Sequence, residues 1–375
     1  MSVNESPAAA APTTAPAVER QAQAGPSFTS VGLFVLAIVY TLYLAADFLI
    51  PIAAAGFLYL LLMPVLRLMV AYRIPHALAS GVLVIAFVLI VLAAFSILAG
   101  PMAAWLERGP DVLEQVSRKL ELINEPVEKV EEARKQVEKA ASVGEDPGEL
   151  NVTVREPGIL QELLQDLQTA GVHLTVTFIL LYFLLATTRL WHLRMIGGFR
   201  TLGQKKRVIR LGRQVGGQVA RYLFTVTLIN IGLGIVIGLA MFALGVPNAQ
   251  FWGVMAALLN FIPYIGAVIG TAVMAGIGLL AFDTFPEIAA VPATYFLLTA
   301  VEGYLVTPTV LGRSLLLNPV AVFLTLIFWG WIWGVPGLLM AVPLLVAFAT
   351  FCEHVEALKP VGAFLMGDRR MRAQL

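Results

Sequence analysis

The chain has 375 residues, of which 59% are hydrophobic and 13% are charged, with a net charge of +1 and a mean hydropathy of +0.84. This composition excludes a soluble globular domain, because too much of its surface would be apolar. It indicates an all-α polytopic membrane protein. The single cysteine, Cys352, excludes an intrachain disulfide framework and a thiolate metal cluster.

The first third of the chain begins with a polar tail and continues with apolar runs. Residues 1–30 are rich in Ala, Pro, Ser and Thr and lack the basic start and apolar core of a signal peptide, so we expect a disordered cytoplasmic tail. Residues 31–100 hold three apolar runs, which we interpret as three membrane spans. Pro51 separates the first two runs and is expected to mark a tight outer turn between two spans; one strongly kinked hairpin is the alternative. The third run covers 77–100.

The charged residues predict the orientation in the membrane. Residues 101–170 carry 15 acidic and 8 basic residues, a net charge of −7, whereas 188–222 carry nine basic residues and no acidic one. Residues 171–187 between them are interpreted as the fourth span. Because basic loops stay on the cytoplasmic side, we place 188–222 in the cytoplasm, in contact with anionic lipid and not with nucleic acid. Counting spans from a cytoplasmic amino terminus independently places 101–170 outside.

The outer segment, 101–170, has apolar residues at alternating three- and four-residue spacing, which is typical of a helical seam. We therefore predict a small helical extracytoplasmic domain, in which helix resumes over 158–167. The apolar seam either contacts another copy or partner, or packs only against the domain itself. The sequence leaves both interpretations open.

The segment 223–349 is expected to form the transport core. It holds a span at 223–244, a span at 288–307 and two long apolar runs, each broken midway by Pro and Gly. The two runs open with the same spacing of proline, alanine and phenylalanine. These openings are Pro247-Asn-Ala-Gln-Phe and Pro319-Val-Ala-Val-Phe.

The breaks in the two apolar runs lie at 260–266 and 334–337. The first run, 251–282, is too long for one upright crossing and too short for two, so we predict a re-entrant hairpin from the outside. The second run, 320–349, would be a hairpin from the inside, which leaves 350–375 as a cytoplasmic tail. A span followed by a broken hairpin would then occur twice in opposite orientation, as an inverted repeat. Two short full spans in each run are the alternative.

Interrupted apolar helices point to a transporter's binding site, because backbone becomes non-helical at membrane depth only where it lines a cavity or is buried in protein. Glu302 lies inside a span, where an ionisable side chain is a functional candidate by default. We expect it to bind a proton or a cation such as Na⁺; accepting hydrogen bonds from backbone at a hairpin tip is the structural alternative. The other candidate substrate- or ion-binding residues are Asn230, Asn260, Pro263, Tyr264, Gly266, Thr307, Asn318, Gly334, Pro336 and Gly337.

Motifs for enzymatic chemistry are absent from the sequence. It contains no HExxH zinc motif, no GxSxG nucleophile elbow and no Walker loop, so neither intramembrane hydrolysis nor direct use of ATP has a sequence basis. The four histidines are scattered and suggest no metal site. We predict a protein that is not an enzyme and has no cofactor, with Na⁺ or H⁺ as the coupling ion.

Several short motifs occur together in the second half of the chain. They are Arg221-Tyr222, Gly245-Val-Pro-Asn-Ala-Gln-Phe-Trp-Gly253, Asn260-Phe-Ile-Pro-Tyr-Ile-Gly266, Glu302-Gly-Tyr-Leu-Val-Thr-Pro308, Asn318-Pro319, Gly334-Val-Pro-Gly337 and Ala341-Val-Pro343. In this order they resemble the AI-2E family of bacterial and archaeal membrane transporters, over roughly residues 31–360. Asn318-Pro319 stands where many members have His-Pro, which argues against a protonation role at that position.

The resemblance implies export of the signal autoinducer-2 in some members and exchange of Na⁺ or Li⁺ for H⁺ in others. It also implies a homo-oligomer, for which a pentamer is one candidate. We therefore predict a secondary active transporter of a small polar solute or monovalent cation in the bacterial inner membrane, with both termini in the cytoplasm. Two other functions stay open: a channel whose hairpin tips line a static pore, and a scaffold that displays the outer domain to an envelope partner.

Overall fold

The computed structural model describes residues 28–107, 159–197, 202–311 and 317–366, which are helical and contain no strand. The helices are α1 Phe28–Leu44, α2 Ala46–Ala71, α3 His76–Glu107, α4 Ile159–Gly197, α5 Leu202–Ala243, α6 Ala249–Leu259, α7 Ile265–Ala281, α8 Phe285–Val301, α9 Thr307–Leu311, α10 Pro319–His354 and α11 Lys359–Leu365. Six of the described helices are long and apolar enough to cross a membrane. The prediction of an all-α polytopic membrane protein is confirmed.

Some predictions concern residues outside the described part of the chain. They include the tail before residue 28, the outer domain over 108–158 and the end of the chain after residue 366. The predicted basic loop, 188–222, is helical where it is described, because α4 continues through Gly197 and α5 starts at Leu202. With 39 and 42 residues, these two helices extend well beyond the thickness of a bilayer.

The helix interruption near the start of the chain lies at Ala45, and the prediction that Pro51 marks it is wrong. Helix α1 ends at Leu44 and belongs to a unit of its own, while α2 starts at Ala46. Pro51 is buried inside α2. Membrane helices tolerate an internal proline because neighbouring helices and side chains satisfy the freed backbone groups. Helix α4 packs beside Pro51, with the Thr177 hydroxyl 3.5 Å from the Pro51 carbonyl oxygen.

Helices α5 to α8 pack in sequence through close contacts at glycine. A Cβ added to Gly253 of α6 would lie 2.6 Å from the carbonyl oxygen of Gly234 in α5, and one added to Gly278 of α7 would lie 2.6 Å from that of Ile288 in α8. Only glycine permits backbones to approach so closely. Helix α6 therefore lies directly against α5, and α8 directly against α7.

The two broken apolar runs form two helical hairpins. Hairpin 1 consists of α6, the turn over 260–264 and α7. Hairpin 2 is α10, which folds back at Gly334, where φ is 59° and ψ is −138°. Leu324 and Phe348 line the same cavity, although a straight helix would separate them by about 36 Å. The predicted positions of the two breaks are thus confirmed.

The hairpins attach to different parts of α5. Hairpin 1 lies along its C-terminal half, where Gly253 meets Gly234. Hairpin 2 lies along its N-terminal half, where the Thr350 hydroxyl donates to Gln218 Oε1 at 2.8 Å and Val346 shares a core cluster with Val219. The open ends of the hairpins therefore face opposite ends of α5. An inverted repeat requires this arrangement, although the repeat and the re-entrant topology stay predictions.

Candidate substrate and ion site

Four of the predicted site residues form one hydrogen-bonded group, which we name the polar cluster: Asn230, Asn260, Glu302 and Thr307. Asn260 Nδ2 donates to Asn230 Oδ1 at 2.9 Å and to Glu302 Oε2 at 3.2 Å. The Thr307 hydroxyl donates to Glu302 Oε1. Residues from α5, from the tip of hairpin 1 and from the end of α8 are thereby joined around a single carboxylate.

The backbone at the tip of hairpin 1 positions Asn260. Asn260 ends α6, and the chain turns through Tyr264, whose φ of 63° is unusual for a residue other than glycine. A Cβ on Gly266 would overlap the carbonyl group of Leu259, so this close return of the chain requires glycine. Pro263 and Gly266 therefore shape the tip. The Tyr264 side chain is 56% exposed and makes no hydrogen bond to the polar cluster among the described residues.

A π-helical turn brings Glu302 and Thr307 together. The turn covers Glu302–Val306, and the Thr307 N–H donates to the Glu302 carbonyl oxygen five residues earlier. An α-helix would place residues four apart in that relation, so the π-turn changes which side chain lies over Glu302. Single π-helical turns are rare and occur frequently at functional sites. The turn is thus a local feature that serves the contact between these two side chains.

Two members of the polar cluster, Glu302 and Asn230, lie inside the candidate spans Phe285–Leu311 and Ile209–Ala243 and not at their ends. Glu302 follows the 17 residues of α8, a rise of about 25 Å, and Asn230 lies about 20 Å from the end of α5 at Ala243. Because the hydrocarbon core of a bilayer is about 30 Å thick, these depths put the carboxylate within it. In the described residues no basic side chain forms an ion pair with Glu302. Such a half-buried carboxylate at this depth is costly unless a cation or proton neutralises it.

The predicted site residues of hairpin 2 have other surroundings. Asn318 caps α10: its Oδ1 accepts from the Val320 N–H at 3.0 Å, and its Nδ2 donates to the Phe364 carbonyl oxygen at 3.2 Å. Gly334 forms the turn, and Gly337 packs against the Trp329 carbonyl so closely that a Cβ would overlap it. No described hydrogen bond joins Asn318, Gly334, Pro336 or Gly337 to the polar cluster.

Replacing Asn318 with Ala is expected to lower the stability of the protein by about 1 kcal/mol, because the helix loses its N-cap acceptor and α11 loses a tether. The thermal unfolding midpoint of the purified protein in detergent measures the effect. Asn318→Asp is the matched control, since it keeps the acceptor for Val320 and loses only the bond to Phe364. A midpoint as low for Asp as for Ala would contradict the capping role.

Thr227 and Tyr222 lie near the polar cluster but were not among the predicted site residues. The Thr227 hydroxyl is buried without a hydrogen-bond partner in the described structure, and so is the Nδ2 atom of Asn230, one turn further along α5. Tyr222, on the same helix, lies within electrostatic range of Glu302. The available signal was the three-residue spacing of Thr227 and Asn230 in an otherwise apolar span, which places them on neighbouring turns of one face.

Apolar helices, two broken hairpins and a carboxylate at membrane depth together define the architecture of a membrane transporter. The family model described as "AI-2E family transporter" matches residues 33–357. The chain belongs to the AI-2E family and is a multi-pass membrane transporter, which confirms the resemblance drawn from its motifs.

Curated relatives cover most of the chain. The Escherichia coli AI-2 transport protein TqsA is 28% identical over 323 residues, which are 86% of this chain and 90% of the relative. The E. coli protein named "Putative transport protein YhhT" is 25% identical over 334 residues, 89% of this chain and 92% of that protein. The Bacillus subtilis protein named "Putative transport protein YueF" is 24% identical over 324 residues, 82% and 84% of the two chains.

Proposed function

We propose that this protein is a secondary active transporter of the bacterial inner membrane that moves a small polar solute, such as autoinducer-2, against a flow of H⁺ or Na⁺. Exchange of Na⁺ for H⁺ without an organic solute is the second form of the proposal. The observation that carries it is the Glu302 carboxylate, held at membrane depth by Asn260 and Thr307 with no basic partner in the described residues.

A carboxylate in this position suits ion coupling. Its single negative charge is neutralised by one proton or one monovalent cation. Binding of that ion therefore changes the electrostatic cost of moving the hairpin next to it. Asn260 belongs to hairpin 1 while Glu302 follows α8, so movement of the hairpin tip would change the number of donors at the carboxylate. The name of the relative TqsA supports autoinducer-2 as the first solute to test.

Purified protein in proteoliposomes tests the proposal. Autoinducer-2 is placed inside, an H⁺ or Na⁺ gradient is imposed across the membrane, and its release is followed together with ²²Na⁺ uptake. We expect flux that follows one of the two gradients and stops when an ionophore dissipates it, whereas protein-free liposomes show none. Flux that ignores both gradients, with single-channel currents in a planar bilayer, would support a channel instead. Deleting the outer domain tests the scaffold function. A transporter with an accessory outer domain keeps its coupled flux after the deletion, whereas a scaffold loses its function with the domain.

A further inference from the structure

Two polar atoms beside the polar cluster have no partner in the described structure. Asn230 is 1% exposed, yet its Nδ2 makes no hydrogen bond, and the buried Thr227 hydroxyl makes none either. Thr177, Thr271 and Thr299 donate to the carbonyl four residues earlier, which is the usual solution for threonine in a membrane helix. Because buried polar groups are normally satisfied, the pair indicates a binding partner for this face of α5.

The charge of Glu302 fixes the orientation of both amide groups. An ionised carboxylate only accepts hydrogen bonds, so Asn260 must turn its NH₂ group towards Glu302. The same NH₂ group then donates to Asn230 Oδ1, as observed. Asn230 is left with its own NH₂ group buried and without an acceptor, one turn of α5 from the equally unpartnered Thr227 hydroxyl. In this state the face of α5 presents a buried amide donor together with a hydroxyl that also donates.

Protonation of Glu302 permits the opposite arrangement. A proton on Oε2 makes the carboxyl a donor, which Asn260 accepts through Oδ1 when its amide turns over. The second lone pair of Asn260 Oδ1 accepts from Asn230 Nδ2, and Asn230 then presents Oδ1 where its NH₂ group lay before. Oε1 still accepts from Thr307. The proton therefore changes Asn230 from a donor to an acceptor without being near the ligand.

We propose that Asn230 and Thr227 form a subsite for an oxygen atom of the cargo. The subsite is filled while Glu302 is ionised; when Glu302 is protonated, the two amides turn over and the subsite empties. The inference rests on the proposed function, since it explains how proton and solute would exclude each other without sharing an atom. A hydroxyl, carbonyl or ether oxygen fits the two donors, whereas an ammonium group, which only donates, would leave the Asn230 amide unsatisfied.

We call this coupled turning of the Asn260 and Asn230 amides the relay. Protonation of Glu302 is the only titration that it needs, given the other groups around that carboxylate. Helix α5 contributes Tyr222, which lies within electrostatic range. Hairpin 1 contributes Asn260, and the exposed ring of Tyr264 belongs to its tip. The π-turn contributes Tyr304, which is 84% exposed. In the described residues no basic group pairs with Glu302.

The relay is tested by NMR of the full chain in lipid nanodiscs, labelled with ¹⁵N-asparagine. The seven asparagines give few side-chain signals, and Asn230→Ser and Asn260→Ser assign the two that matter. We expect both signals to change at one pH, the pH at which the ¹³C-labelled Glu302 carboxyl titrates, while exposed Asn248 does not. The change should disappear in Glu302→Gln and persist in Glu287→Gln. Asparagine signals that stay constant while Glu302 titrates would overturn the relay, whatever the transport assay shows.

The subsite is tested with autoinducer-2 as the probe, by its binding to nanodiscs at a pH above and a pH below the titration of Glu302. We expect at least tenfold weaker binding at the lower pH, and a similar loss at the higher pH in Thr227→Val. Thr225→Val, two residues away on α5, serves as the control and should bind as the wild type does. Binding that ignores both pH and Thr227→Val would mean that water fills the subsite, which overturns the proposal. Absence of binding at every pH would instead contradict the cargo.

Discussion

Glu302→Gln is expected to reduce ion-coupled flux by up to about 100-fold, the upper range of ordinary coupling free energies, while the protein folds normally. Glutamine keeps the shape of the side chain and an oxygen that accepts from Asn260 or Thr307. It cannot carry a charge or release a proton, so the gradient loses the group on which it acts. Release of autoinducer-2 and ²²Na⁺ exchange in proteoliposomes measure the loss, and the thermal midpoint in detergent checks folding.

The matched control for this variant is Glu287→Gln. Glu287 lies on α8, the helix that directly precedes Glu302. It is exposed at the first turn of α8, and its Oε2 accepts a hydrogen bond from the Thr284 hydroxyl at 2.7 Å. The same chemical change there should leave coupled flux unchanged. Exchange at the wild-type rate by Glu302→Gln, in a protein that passes the folding check, would remove Glu302 from the coupling mechanism and leave it a structural acceptor at the hairpin tip.

The sequence predicts those parts of the site that depend on local signals. A lone acidic residue in an apolar span identifies Glu302, and the Pro and Gly breaks identify both hairpins, because each signal lies within a few residues of the feature it predicts. The π-turn after Glu302 has no such signal, since it follows from tertiary packing. The pairing of Glu302 with Asn260 joins residues 42 positions apart, which composition and periodicity do not reveal.

The repeated pattern of the two apolar runs predicts backbone better than side chains. Both hairpins turn where the breaks lie, and both bring a glycine against a carbonyl of the first arm, at Gly266 and Gly337. The polar group is not repeated. Nine residues after the shared phenylalanine stands Asn260 in hairpin 1 and the buried Ile332 in hairpin 2. Spacing of Pro and Gly therefore predicted the turns, but it assigned site roles in hairpin 2 to residues whose described contacts are structural.

Gly266→Ala and Gly337→Ala are each expected to destabilise the protein by roughly 1–3 kcal/mol or more, the cost of forcing extra volume into a packed site. The added Cβ would overlap the carbonyl groups of Leu259 and Trp329, respectively. Backbone carbonyls in a helical arm cannot move aside as a flexible side chain can, so the hairpin must open at its tip. The thermal midpoint in detergent and the monodisperse fraction in size-exclusion chromatography measure the effect.

Gly276→Ala separates this steric cost from the general effect of adding a methyl group. Gly276 lies in α7 with no atom within 4 Å of an added Cβ, so alanine should preserve or raise stability as the better helix former. The two destabilised variants should also differ in function. Opening the tip of hairpin 1 moves Asn260 away from Glu302 and lowers coupled flux in the protein that remains folded, whereas Gly337→Ala spares that contact. Equal stability of Gly266→Ala and Gly276→Ala would contradict the close return of the chain that positions Asn260.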